Sequence, residues 1–184
     1  MKGTEDLKKE HEGIKLMLRV LQAVAEQFKH GEQVNTEHLD GILEFLSIFV
    51  DKCHHGKEEE FLFPALEVAG VKREGGPIGV MLGEHEQGRK LVSKFKVAVA
   101  DCKSGKNANA SNIQWIINEY VTLLTQHITK ENTVLFPMAD AKLDSNKDTE
   151  LFDAFEQLER ERIGVGKHEE FHGLLDQLKD AYLR

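Results

Sequence analysis

Six residues of the 184-residue chain have types and spacings that could do chemistry together. His54 and Glu58 are four positions apart, as are His127 and Glu131. Each pair opens one of two matching phrases, His54-His55-Gly56-Lys57-Glu58-Glu59-Glu60-Phe61-Leu62-Phe63-Pro64 and His127-Ile128-Thr129-Lys130-Glu131-Asn132-Thr133-Val134-Leu135-Phe136-Pro137. Two shorter phrases also match, Glu10-His11-Glu12 and Glu84-His85-Glu86. The offsets are 74 and 73 residues, so the chain reads as two related helix pairs. Each pair contributes one His from its first helix and a His-x-x-x-Glu from its second. A His and a Glu at i and i+4 share one helix face, and all six residues fall on apolar stripes. A buried, unpaired carboxylate costs several kcal/mol, whereas cations set between carboxylates and imidazoles remove that penalty. Four imidazoles and two carboxylates in two equal sets fit a dinuclear site with bridging carboxylates.

The elements that must position them follow from apolar residues recurring at steps of three and four. Leu7, Ile14, Leu18, Leu21, Ala25 and Phe28 form a stripe over roughly 4–30, with His11 in its gap and Gly31 as its end. Thr36 is the expected N-cap of a second helix, whose seam runs Leu39, Ile42, Leu46, Val50, His54, Glu58, Leu62 and stops near Gly70. Gly75-Gly76-Pro77 starts a third, carrying Met81, His85, Val92, Phe95 and Val99 inward, and Ser104-Gly105-Lys106-Asn107 closes it. Ile113, Ile116, Tyr120, Leu124, His127, Glu131, Leu135 and Met138 mark the fourth. The expected fold is all-α: an antiparallel up-down-up-down four-helix bundle over 1–142 with a C-terminal helical extension over 143–184. In the extension, Leu151, Phe152, Phe155 and Leu158 make one helix, and Phe171, Leu175, Leu178 and Tyr182 another.

A single His on an apolar seam is more often an ordinary core residue. Four on four helices, two with Glu in a repeated phrase, are not explained that way. His55, turned about 100° from His54 on an α-helix, is expected to be solvated, and His30 and His38 to sit at helix ends. Cys53 reads as a buried spectator thiol. Acidic residues outnumber basic ones by 32 to 24, which argues against a nucleic-acid partner. No segment approaches the ~18 apolar residues of a membrane span, so no membrane partner is expected. Two cysteines without metal-motif spacing and a polar N-terminus make the cytoplasm the default location. His168-Glu169-Glu170-Phe171-His172 spells the H-E-x-x-H of zinc proteases. No His or Glu follows it as a third ligand and no strands precede it.

With these residues in hand, the chain resembles the hemerythrin-like (hemerythrin HHE cation-binding) family over roughly residues 4–140. His11, His54 with Glu58, His85, and His127 with Glu131 match its ordered motif. The Leu-Phe-Pro endings look like the bacterial branch that includes di-iron iron–sulfur-cluster repair proteins. The resemblance implies two non-haem iron ions, oxo- or hydroxo-bridged, with both carboxylates bridging. Oxygen-carrying members have His-x-x-x-His on the third helix, but the second position here is Arg89. That leaves about two of the metals' coordination positions open. His168, on the last helix after two glycines, is the candidate fifth histidine.

The expected function is therefore a di-iron protein that binds dioxygen or another small diatomic or peroxide ligand, for sensing, delivery or scavenging. An apolar surround including Phe61, Phe63, Phe136 and Trp115 would restrict water and protons. The alternative is a di-iron enzyme for peroxide or nitric oxide chemistry, or iron donation to cluster repair. The pattern favours a metal and small-ligand binder and leaves enzymatic activity open.

Overall fold

The computed structural model describes residues 1–104, 110–164 and 166–183. Helix α1 (Lys2–Lys29) begins at Lys2, where its free N–H groups find an acceptor elsewhere in the chain. Asp148 takes hydrogen bonds from the backbone N–H of Lys2 (2.8 Å) and Gly3 (2.9 Å), satisfying donors that a helix start leaves open. Gly31, at φ +70°, turns the chain out of α1. The next cap falls on Asn35 rather than the expected Thr36, since the Asn35 side chain accepts from Glu37 N–H at 2.9 Å.

Helix α2 spans 36–68 without a break, and α4 spans 110–142 in the same way. Between them lies α3 (Pro77–Lys103), with proline in its first turn. Helices α5 (Ser145–Arg162) and α6 (Lys167–Tyr182) follow. The expected closure of α3 at Gly105-Lys106-Asn107 lies outside the described residues, as does Val165.

Helices α2 and α4 are not uniform α-helices. The turns over Phe45–His55, Glu58–Leu62 and Glu131–Leu135 are π-helical. Two of these end at the same place in the repeated phrase, just before Phe63-Pro64 and Phe136-Pro137. Proline has no N–H to donate, and in an α-helix its ring clashes with the carbonyl four residues back. A widened turn before it relieves that clash, and such turns recur at functional sites. In both phrases the widened turn begins at the motif glutamate.

Each of the first four helices runs between two apolar clusters. One contains Ile14, Leu18, Val50, Leu91, Leu124 and Ile128. The other contains Leu7, Leu62, Phe63, Met81, Leu135 and Phe136. Along α1 the chain passes from the second cluster to the first, along α2 back again, and so on through α4. His11, His54, Glu58, His85, His127 and Glu131 occupy the level between the clusters on every helix. The last two helices pack on α1: Leu151 and Phe155 join the second cluster, Phe171, Leu175 and Leu178 the first. No described helix is long and apolar enough to cross a membrane.

Candidate metal centre

All six motif residues are buried, each at 1% exposure or less. Their rings form two pairs. His11 Nε2 and His54 Nε2 stand 3.0 Å apart, and so do His85 Nε2 and His127 Nε2. The two carboxylates span the pairs. Glu131 places Oε2 3.2 Å from His11 Nε2 and Oε1 3.0 Å from His127 Nε2. Glu58 places Oε1 3.8 Å from His54 Nε2 and Oε2 3.4 Å from His85 Nε2. The result is two tetrads, His11/His54/Glu58/Glu131 and His85/His127/Glu58/Glu131, sharing both glutamates. All four carboxylate oxygens are buried and face only the imidazole Nε2 atoms, with no backbone, hydroxyl or ammonium donor to them. Two buried anions so placed call for cations, and nitrogen and carboxylate donors suit first-row metals.

The outer nitrogen of every motif ring is also committed. His54 Nδ1 donates to Glu10 Oε2 at 2.7 Å, and His127 Nδ1 to Glu84 Oε2 at 2.9 Å. His85 Nδ1 donates to Glu59 Oε1 at 2.7 Å, and His11 Nδ1 to Asn132 Oδ1 at 3.0 Å. Holding the proton on Nδ1 turns each Nε2 lone pair inward, the usual device for orienting imidazole ligands. Lys57 and Lys130 in turn donate to Glu10 and Glu84. This outer layer obeys the repeat residue by residue: Glu10 matches Glu84, Lys57 matches Lys130, and Glu59 matches Asn132. The matched phrases already contained those residues; what intrahelical spacing does not show is that each supports a ring on a neighbouring helix.

Two expectations need correction here. His55 is not solvated but 3% exposed, with its ring stacked on His85 at 3.8 Å between centroids. A π-helical turn holds more residues than an α turn, so neighbours diverge by less than the ~100° of an α-helix. His55 thus stays with His54 inside. Burial and the adjacent charged imidazoles hold it well below its ordinary value, hence neutral. Trp115 is no part of the apolar surround: it is 49% exposed, with Lys94 Nζ 5.5 Å from its ring centre. Phe63 and Phe136 are fully buried and stack on His85 and His11. Phe61 packs outward against Phe155.

His168 is not brought into either tetrad. It lies one layer out, grouped with Glu10 and Glu159 and beside the Phe49 ring. Because α6 packs on the outer side of α1, its imidazole meets the back of Glu10 rather than the interior.

Within the centre each buried charge is held by its neighbours. Burial alone would lower His127, but Glu131, with a further hydrogen bond to Glu84, holds it at about 10. Burial would raise Glu131, yet His127 and His11 keep it well below the carboxylate range. His54 and His85 are raised by Glu58 and their outer carboxylates against the same burial. The protonated His127 stabilises the metal-free fold fully below its ordinary 6.5, and that contribution fades as pH rises through about 10. A metal needs the lone pair the proton occupies. Loading near pH 7 is thus expected to release protons, and apparent affinity to rise with pH toward 10. A weakly buffered titration with metal that shows no acidification would contradict this.

The chain belongs to the hemerythrin HHE cation-binding family, whose family model matches residues 2–139. It is therefore a metal-binding protein of that helical family. It is 31% identical over 127 residues to the iron–sulfur cluster repair protein YtfE of Salmonella newport (strain SL254), covering 65% of this chain and 56% of the relative. The same protein from Salmonella agona (strain SL483) matches equally. An uncharacterised protein of Mycobacterium tuberculosis is 23% identical over 176 residues, 96% of this chain and 67% of the relative. The chain thus spans about two thirds of the mycobacterial relative and 56% of the Salmonella proteins. No solved structure matches the chain significantly.

Proposed function

We propose that the chain is a non-haem di-iron protein that binds dioxygen or a similar small ligand, for sensing, delivery or scavenging. One observation carries this reading: two buried glutamates, facing no donor but the imidazoles, each set one oxygen toward each imidazole pair. His11 and His54 would hold one iron and His85 and His127 the other, with Glu58 and Glu131 bridging. Iron so held supplies reversible redox chemistry and open coordination positions. The chain's own residues do the rest. Glu10, Glu59, Glu84 and Asn132 fix the rings, and Phe63 and Phe136 keep water off two of them. A dry shell favours holding a ligand over turning it over.

The first four helices, alternating in direction between two apolar clusters, support an antiparallel up-down-up-down bundle over 1–142, with 143–184 as an extension packed on it. Free Cys53 and Cys102 fit a reducing cytoplasm. Mixing the reduced, iron-loaded chain with oxygen is expected to raise a visible absorption band that disappears under vacuum. Irreversible oxidation without such a band would overturn the ligand-binding reading. The second reading is iron donation to cluster repair or turnover of peroxide or nitric oxide, and the name of the Salmonella relative favours it. Peroxide consumption by the loaded chain would select it.

A further inference from the structure

Among the described residues, three buried side chains have polar atoms without a hydrogen-bond partner: Glu58, Glu131 and His55. The first two belong to the centre described above. His55 has no role in that account, yet both of its ring nitrogens are unmet. The carboxylate oxygen Asp51 Oδ1 is 3.6 Å from Nδ1, too long for a hydrogen bond. That same oxygen is engaged by Arg89 Nε at 2.7 Å. Leaving a buried imidazole unpaired is destabilising, so its partner is to be sought where it faces.

It faces the His85/His127 half of the site. A ring nitrogen of His55 lies within 4.8 Å of nitrogens of both residues. Its plane is 15° from that of His85, with the centroids 3.8 Å apart. This stack argues against direct ligation. A metal lies in the plane of the imidazole that binds it, and the nitrogens of a parallel ring above point alongside that metal rather than at it. An N–H in that upper plane reaches instead what is bound one atom further out.

A cavity of about 250 Å³ ends at His55, its lining running from His55 and Tyr120 past Arg89 to exposed Ser93 and Lys96. It is smaller than the ~300–1,000 Å³ of sites for drug-sized ligands and has room to admit a species of two or three atoms. We propose that His55 is a positioning residue at the head of this cavity, donating a hydrogen bond to the small exogenous ligand held on the His85/His127 side. The inference rests on the di-iron reading above.

The test uses azide and the full-length chain loaded with ferric iron. His55→Leu is expected to retain wild-type iron content while weakening azide binding about tenfold, which is about 1.4 kcal/mol. His55→Gln, which restores a donor, is expected to recover part of that loss. In the unmodified protein, the infrared stretch of bound azide is expected to shift between H2O and D2O, and this decides the matter if the leucine variant fails to fold. Unchanged azide affinity in an iron-replete His55→Leu, loss of iron from that variant, or an azide stretch indifferent to D2O would each overturn the proposal. Those outcomes leave the di-iron reading standing, whereas a wild-type chain that retains no iron would remove both.

Discussion

Glu131→Ala is expected to strip the chain of metal from both halves of the centre, not from one. Its two oxygens stand 3.2 Å from His11 Nε2 and 3.0 Å from His127 Nε2, one in each tetrad. Loss of an outer partner of a metal ligand typically lowers affinity 10–100-fold. A residue shared by two sites should exceed that, by more than about 100-fold. The loss is also a stability change. Metal present at a thousand times its Kd contributes about 4 kcal/mol to the folded state, so the variant's melting temperature should not respond to added metal, whereas that of the wild type should rise. His168→Ala is the control: His168 sits behind Glu10, outside both tetrads, so metal content and melting should stay at wild-type levels. Metal analysis after loading separates the cases. A fully loaded Glu131→Ala would mean that the shared carboxylate is not a ligand.

The second large effect lies one layer out. Lys57 is a fully buried ammonium held by Glu10 Oε1 at 2.5 Å, Asp6 Oδ2 at 3.1 Å and Glu159 Oε2 at 3.2 Å. Burial would depress it, but these carboxylates raise it above its ordinary 10.5. Lys57→Met is expected to destabilise the chain by about 3–5 kcal/mol, the usual effect of breaking a buried ion pair from one side. The cause is less the lost attraction than the three carboxylates left facing one another. The pH dependence checks this cause. Burial pushes Glu10 up, but His54 and Lys57 hold it at about 2. Its contribution is therefore present above the ordinary 4.5 and is lost as pH falls through about 2. Without Lys57, Glu10 protonates at higher pH, so the gap between variant and wild type should narrow on acidification. Urea unfolding at pH 7 and pH 5 measures both. A difference below about 1 kcal/mol at pH 7 would show that the cluster relaxes or hydrates, as surface pairs do.

Lys57 also shows why part of the site was hard to read. It carries the same relation to Glu10 that Lys130 carries to Glu84, and both lysines lie within the repeated phrases. An intrahelical period says which face a residue occupies; it does not say which residue of another helix it meets. The six motif residues were legible because each lies on its own helix's apolar stripe and the repeat supplies the pairing. Their supports were not, since each hydrogen bond crosses from one helix to its neighbour. His55 departs from its expected face for a different reason. A turn of 3.6 residues sends it outward, whereas the turn it occupies is π-helical. Pro64 and Pro137 cue the widened turns just before them, Glu58–Leu62 and Glu131–Leu135, but the turn over Phe45–His55 has no proline after it to announce it.

By itself the sequence determined the helical class, the first two helices closely but only the middles of the last two, which run on to Ser145–Arg162 and Lys167–Tyr182, and the level on each helix where histidines and glutamates fall. These follow from periodicity, helix-terminating residues and the cost of burying polar groups, all of which act within one helix. Only the tertiary structure decided which glutamate oxygen faces which imidazole, that His55 is enclosed, and that His168 stays a layer outside. Those outcomes depend on how far each helix is rotated about its axis and how closely it approaches the next. Side chains packing between helices set those quantities, and no spacing along a single chain segment encodes them.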